Sequence, residues 1–233
     1  MPSEELVPAH PDESGSKPDW ARAGLKLVPY IGDALDELVY GRVDDARWER
    51  LHRTLGELGE MMEARDILAD QVLKEDFAQL LEVVAPAAGR TTSEEKRRLL
   101  RDLLLNAVQL ADGAAEWESA HLAADLILGL EPPALAILAG LAHVRSHGDG
   151  KAQLRAAEGG NSAELVPIEP PGTAIRLNYK WLVVDQAYRK LSSAPARLVV
   201  AGGRRTDGID ATWLTDLGEF LIEWATAKPP EGA

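Results

Sequence analysis

Cysteine is absent from the 233 residues. Within this chain that excludes disulfides, thiolate nucleophiles and cysteine-based zinc or iron–sulfur sites. Positive charge is in short supply: 25 Lys and Arg against 38 Asp and Glu leave a net charge of −13. That balance disfavours whole-surface binding to nucleic acid or anionic lipid, and leaves only a local basic patch for such a partner. Long apolar runs are missing too. The most apolar window, residues 122–142, is broken by Asp125, Glu131 and Pro132-Pro133, so no stable membrane insertion is expected. The first stretch, MPSEELVPAHPDESGSKPD, has no apolar centre of the secretory kind, and a cytoplasmic location is the expectation. No repeat period marks a solenoid.

Catalytic patterns are also missing. There is no G-x-S-x-G and no phosphate loop, and Gly202-Gly203 is followed by Arg-Arg and a strand return where a nucleotide-binding turn needs a helix. Acid pairs such as Asp44-Asp45 and Glu94-Glu95 stand at helix starts, where capping accounts for them. The expectation is a protein that is not an enzyme, with no catalytic residue and no cofactor.

What is present reads as an ordinary globular chain, 45% apolar and 27% charged, long enough for one large domain or two small ones. Arginine outnumbers lysine 17 to 8 and alanine is abundant, a composition associated with GC-rich bacterial genomes. The clearest period lies in residues 92–111, where Leu100, Leu103, Leu104, Ala107, Val108 and Ala111 recur at three and four on one helical face. Thr92 or Ser93 supplies a cap, Glu94 and Glu95 suit the first turn, and Glu94–Arg98 and Arg98–Asp102 are oppositely charged pairs four apart. Asn106, at the border of the apolar face, needs partners there; fixing packing register is preferred over lining a cavity.

Residues 1–18 read as a disordered tail. A helix follows at 20–40 with Leu25, Val28, Ile31, Leu35 and Leu38 on one face and a kink at Pro29. Its polar face carries Asp33, Asp36 and Glu37, which favours core packing over a membrane surface. Further helices are predicted at 43–65 (Trp48, Leu51, Leu55, Leu58, Met62), at 66–85 ending near Pro86, and at 114–129 ending at Gly129. Residues 19–129 thus predict an antiparallel helical bundle.

A C-terminal unit spans 130–228, with 229–233 as a tail. LEPPALAILAGLAHVR opens it as a helix. Residues 146–172 are Gly-, Pro- and Ser-rich and predict a long loop with one turn, and a helical stretch runs from Thr173 to about Leu191. The apolar succession Trp181-Leu182-Val183-Val184 predicts a helix buried on more than one side. Arg197–Ala201 and Ile209–Leu214 read as two strands around Gly202, Gly203, Asp207 and Gly208, and Thr215 caps a last helix.

The order LEPPALAILAGLAHV, KWLVVDQAYRKLSS, RLVVAGGRRTDGIDATW and LTDLGEFLIEW resembles winged-helix domains of the multiple-antibiotic-resistance-type repressors, over residues 130–226. The resemblance implies that residues 179–191 form the helix presented to a DNA major groove and 202–207 a wing beside phosphate. Between 173 and 205, Arg176, Lys180, Arg189, Lys190, Arg197, Arg204 and Arg205 stand against Asp185 alone, 7 − 1 = +6, a local basic island. These seven are the candidate nucleic-acid contacts.

His143 and His147 are four apart, so on a continued helix both imidazoles share a face, with Asp149 following. No glutamate adjoins His143 as a metalloprotease helix requires, and surface or capping roles without a metal are the expectation. His121 is predicted in the core and His52 at its edge. The fold expected is mainly α: an N-terminal bundle, then a winged-helix-like α+β subdomain with one short β-hairpin. The function expected is a non-catalytic bacterial interaction or regulatory protein that meets an unidentified protein partner through the C-terminal module. A DNA-binding transcriptional regulator is the alternative, and a membrane-active helical effector, resting on residues 20–40, the third. The apolar helical surfaces are compatible with a homodimer.

Overall fold

The computed structural model describes residues 45–65, 67, 75–110, 113–158, 162–193, 196–204 and 208–226. The helix expected at 20–40 and both tails lie outside them. In chain order the elements are α1 (Asp45–Glu63), α2 (Glu75–Arg90), α3 (Glu94–Leu110), α4 (Ala114–Gly129), α5 (Pro132–His147), β1 (Ala152–Ala156), β2 (Ala163–Pro167), β3 (Ile175–Leu177), α6 (Trp181–Ser192), β4 (Val199–Arg204), β5 (Gly208–Leu214) and α7 (Asp216–Ala225). The protein is mainly helical, with a small antiparallel sheet in its C-terminal part.

The periodic stripe of α3 goes where its spacing sends it. Leu100, Leu103, Leu104, Leu105 and Ala107 are fully buried, and each buried leucine contributes about 1.5–3 kcal/mol. Ser93 is the residue that caps it, its Oγ accepting from Lys96 N at 3.2 Å. The surface pairs differ from expectation: Glu94 binds Arg97, and Arg101 binds both Asp102 and Glu57 of α1. Reaching a second helix lets one arginine tie α3 to α1, which an exposed pair within α3 could not do. Lys96 reaches the other way. Its Nζ donates at 2.8 Å to the carbonyls of Leu128 and Leu130, satisfying the orphan end of α4, and burial lowers its pKa.

Two helix boundaries depart from the sequence reading. Of the helix predicted at 66–85, residues 66 and 68–74 lie outside the described residues, Ile67 is not helical, and the described helix runs from Glu75. At its other end it passes through Pro86 to Arg90. A proline inside a helix costs on the order of 3 kcal/mol. Here the turn beyond it is held by the buried Ala88 and Gly89 and by Arg50 of α1, whose Nε donates to the Gly89 carbonyl at 3.0 Å.

His52 of α1 is half-buried and lies against Trp48, ring centroids 4.2 Å apart, at the core edge as expected. His121 is also only half-buried, although the core was expected. Burial lowers the His52 pKa below its ordinary value. The unfolded chain therefore binds more protons than the folded one as pH falls through about 6.5, and stability declines there. Urea midpoints at pH about 7.5 and about 5.5 should differ less in His52→Gln than in the parent. An unchanged difference would assign the acid limb to other groups.

The largest correction concerns residues 146–172. Instead of a loop with one turn they hold β1 and β2, paired antiparallel with Arg155 opposite Glu164 and their side chains bonded at 2.8 Å. The helix predicted from Thr173 begins only at Trp181, and β3 precedes it. The expected lone hairpin of β4 and β5 is thus part of a five-stranded sheet, ordered β3-β2-β1-β5-β4 and antiparallel throughout. Ala152, Leu154, Ala163 and Leu165 turn one face inward beneath α5. Gly140 of α5 makes room for Leu165, since a Cβ there would overlap its side chain.

The apolar interior is continuous from Leu51 to Ala225, across the α4–α5 junction. α7 provides the continuity by packing on α3, α4 and α5. Thr215 caps α7 as predicted, its Oγ1 accepting from Gly218 N at 3.1 Å. At the far end the fully buried Asn106 of α3 donates Nδ2 to the carbonyls of Trp224 (2.9 Å) and Thr226 (2.8 Å).

Candidate functional site

The sheet order decides where the basic residues stand. Arg176 lies on β3 and Arg204 ends β4, at opposite edges of the sheet. Four inter-strand spacings of about 4.8 Å place those edges roughly 19 Å apart. Lys180 precedes α6 and is exposed; Arg189 and Lys190 are in its last turn; Arg197 is exposed just before β4. Arg205 lies outside the described residues. The six described positions are therefore divided between α6 and the two edges of the sheet.

Two of them are also neutralised. Arg189 binds Asp185 Oδ2 through Nε and Nη2, each at 3.1 Å. Lys190 Nζ binds Glu131 at the start of α5. The count of +6 over residues 173–205 missed Glu131 because it lies some forty positions earlier in the chain. Charge counted along a chain overlooks partners supplied by another element. Arg176, Lys180 and Arg197 remain exposed without an ion pair among the described residues.

Helix α6 has a sharply divided surface. Val184, Ala187, Tyr188 and Leu191 face inward, and Thr212 of β5 donates to the Tyr188 hydroxyl at 3.0 Å in the interior. The apolar run at its start is not buried on more than one side, as its composition had implied. Leu182 is 76% exposed and Val183 42% exposed, and Leu182 is the most exposed large hydrophobic residue of those described. Four successive apolar residues cannot all face inward on a helix supported from one side. Lys180 stands immediately before this turn. Tyr179 beside it is partly buried, and its hydroxyl pKa is raised by that burial and by Glu95 of α3. Of the three tryptophans in this unit, Trp224 is buried, whereas Trp181 and Trp213 are half-buried.

Two concave features adjoin α5. A groove of about 240 Å³ runs between the end of α4, the start of α5 and the end of α6, lined by Leu126, Leu130, Ala134, Ala187, Leu191 and Leu198. The Lys190–Glu131 pair stands at its rim. A second hollow of about 260 Å³ lies between the last turn of α5 and the chain before β3, with His143, His147, Glu169 and Pro170 in its wall. Among the described residues no helix is long and apolar enough to cross a membrane. Comparison with protein-family models, with curated proteins and with solved structures finds no match to this chain.

Proposed function

We propose that this is a non-catalytic interaction protein of regulatory type, and that its winged-helix-like C-terminal unit makes the contact through the first turn of α6. The observation that carries this reading is the exposed pair Leu182-Val183 directly after Lys180. An apolar surface beside an unpaired cation suits a protein segment bearing apolar and acidic side chains, because burying Leu182 removes its exposed apolar area from water while the cation meets a carboxylate. Phosphate backbone offers nothing to an exposed leucine. The same helix is the one the winged-helix resemblance would place against a partner, so the reading keeps its location and changes the chemistry of the partner.

The experiment is a random peptide library displayed on phage and selected on the immobilised full chain. Enriched peptides should combine apolar with Asp or Glu residues, and should lose binding to Leu182→Asp and to Val183→Asp, both surface changes that leave the interior intact. Enrichment that survives both substitutions would move the contact elsewhere on the molecule. The DNA-binding reading rests on the exposed and unpaired Arg176, Lys180 and Arg197. It predicts salt-sensitive retention on duplex DNA that is lost in Arg176→Glu with Lys180→Glu. Indifference to duplex DNA at low salt would remove it.

A further inference from the structure

The last turn of α5 carries two imidazoles that the interaction surface does not use. His143 and His147 are both exposed, with ring centroids 4.4 Å apart and planes inclined at 38°. His147 Nδ1 lies 2.9 Å from the His143 carbonyl oxygen and 2.8 Å from Ser146 Oγ. A carbonyl oxygen can only accept, so Nδ1 carries the hydrogen. Ser146 Oγ gives its own hydrogen to the same carbonyl at 2.8 Å and is left to accept from the ring. In neutral His147 the bare nitrogen is therefore Nε2. A ring held through one nitrogen by a backbone carbonyl, with the other free and basic, is the support that metal-binding histidines receive.

The setting favours a cation. The helix end carries partial negative charge, and the pair opens on the hollow shared with Glu169 and Pro170, which has room for an ion and several waters. With each nitrogen about 2.0–2.1 Å from a shared ion, centroids at this separation subtend roughly a right angle there. That angle suits neighbouring positions of a square-planar or octahedral ion better than the wider angle of a tetrahedron, and so selects Cu²⁺ or Ni²⁺ over Zn²⁺. Asp149, which follows in sequence, is occupied: Oδ1 accepts from Lys151 N at 2.9 Å and Oδ2 lies 3.5 Å from Lys151 Nζ. Among the described residues no third His, Cys, Asp or Glu converges on the pair.

We propose that His143 and His147 together form a labile site for a divalent copper or nickel ion, with water in the remaining positions. The test is titration of the full chain with CuCl₂ in buffer at pH about 7.5. Saturation at one ion per chain is expected, with a paramagnetic resonance spectrum showing two equatorial nitrogens. His143→Gln and His147→Gln should each weaken binding by about tenfold or more, and Ser146→Ala, which loosens the ring, by less. All three positions are exposed, so folding is not at stake, and unchanged thermal unfolding of the metal-free variants checks this. Copper held equally well by the His143→Gln/His147→Gln double variant overturns the site. So does a parent chain that binds no copper.

Discussion

An Asn106→Asp variant is expected to lose about 3–5 kcal/mol of stability, the largest effect of any single polar change in this interior. Asn106 is fully buried, and its Nδ2 approaches three carbonyl oxygens, those of Trp224, Thr226 and, at 3.4 Å, Glu223. The Trp224 and Thr226 carbonyls lie at the C-terminal end of α7, where a helix leaves its last carbonyls to find donors outside it. A carboxylate would present only acceptors to acceptors and would leave both sides unsatisfied. Asn106→Leu separates the causes. It strands the same carbonyls, at about 1–3 kcal/mol, but also removes Asn106 Oδ1, which has no partner among the described residues of the parent. The order of stability in urea should therefore be parent, then Leu, then Asp. An aspartate variant as stable as the leucine variant would show that α7 is not held by this side chain.

The second large effect is expected at Gly218. A Cβ at this position would overlap the carbonyl oxygen of Leu198, which is backbone and cannot swing aside. That carbonyl already accepts from Thr215 N at 3.0 Å, and Leu198 N in turn donates to the Leu191 carbonyl at 2.8 Å. The start of α7 is thus seated on the junction between α6 and β4 by backbone contacts, and by Thr215 Oγ1 donating to the Arg197 carbonyl at 2.8 Å. Gly218→Ala should cost about 1–3 kcal/mol and Gly218→Val more, as in other cases of forced overpacking. Thr215→Ala is the natural comparator. It removes the cap, worth about 1 kcal/mol, and the exposed hydrogen bond from Thr215 Oγ1 to the Arg197 carbonyl, and should still be milder than valine at 218. Thermal unfolding that places Gly218→Val within about 0.5 kcal/mol of the parent would mean that α7 sits elsewhere.

Both predictions concern α7, and α7 shows how far the sequence could be read. Its start was legible, because Thr215 followed by Asp-Leu-Gly is a capping pattern and local side-chain oxygens reach local N–H groups. Its role as the link between the two parts of the chain was not, because Asn106 and Trp224 are 118 positions apart and no local pattern encodes their meeting. The register reading of Asn106 was preferred from its place on the helix alone; the identity of its partners came from the fold.

The missed sheet has a different cause. In β1 and β2, AQLRA and AELVP alternate inward and outward around Gly159-Gly160-Asn161, which is a hairpin signal in retrospect. Ala, Gln, Arg and Glu have weak strand preference, and the surrounding Gly and Pro outweighed a period seen over only five residues. The pairing with β5 is what stabilises such a strand. For the basic residues the lesson runs the other way, since their identity was plain but their convergence depended on strand order. β3 and β4 are neighbours of α6 in the chain and opposite edges in space.

What the sequence determined by itself was whatever depends on neighbours within a turn or two: the helical stripes of α1 to α5, the caps at Ser93 and Thr215, the strands of the β4–β5 hairpin and the four-residue spacing of the two histidines. Only the tertiary structure decided which polar groups lie free and which are spent, that Lys190 belongs to Glu131, and that Leu182 faces water. Local order follows from hydrogen bonds and side-chain spacing that a single segment can satisfy. Surface chemistry follows from what every other segment leaves uncovered, and that is settled only when the whole chain has packed.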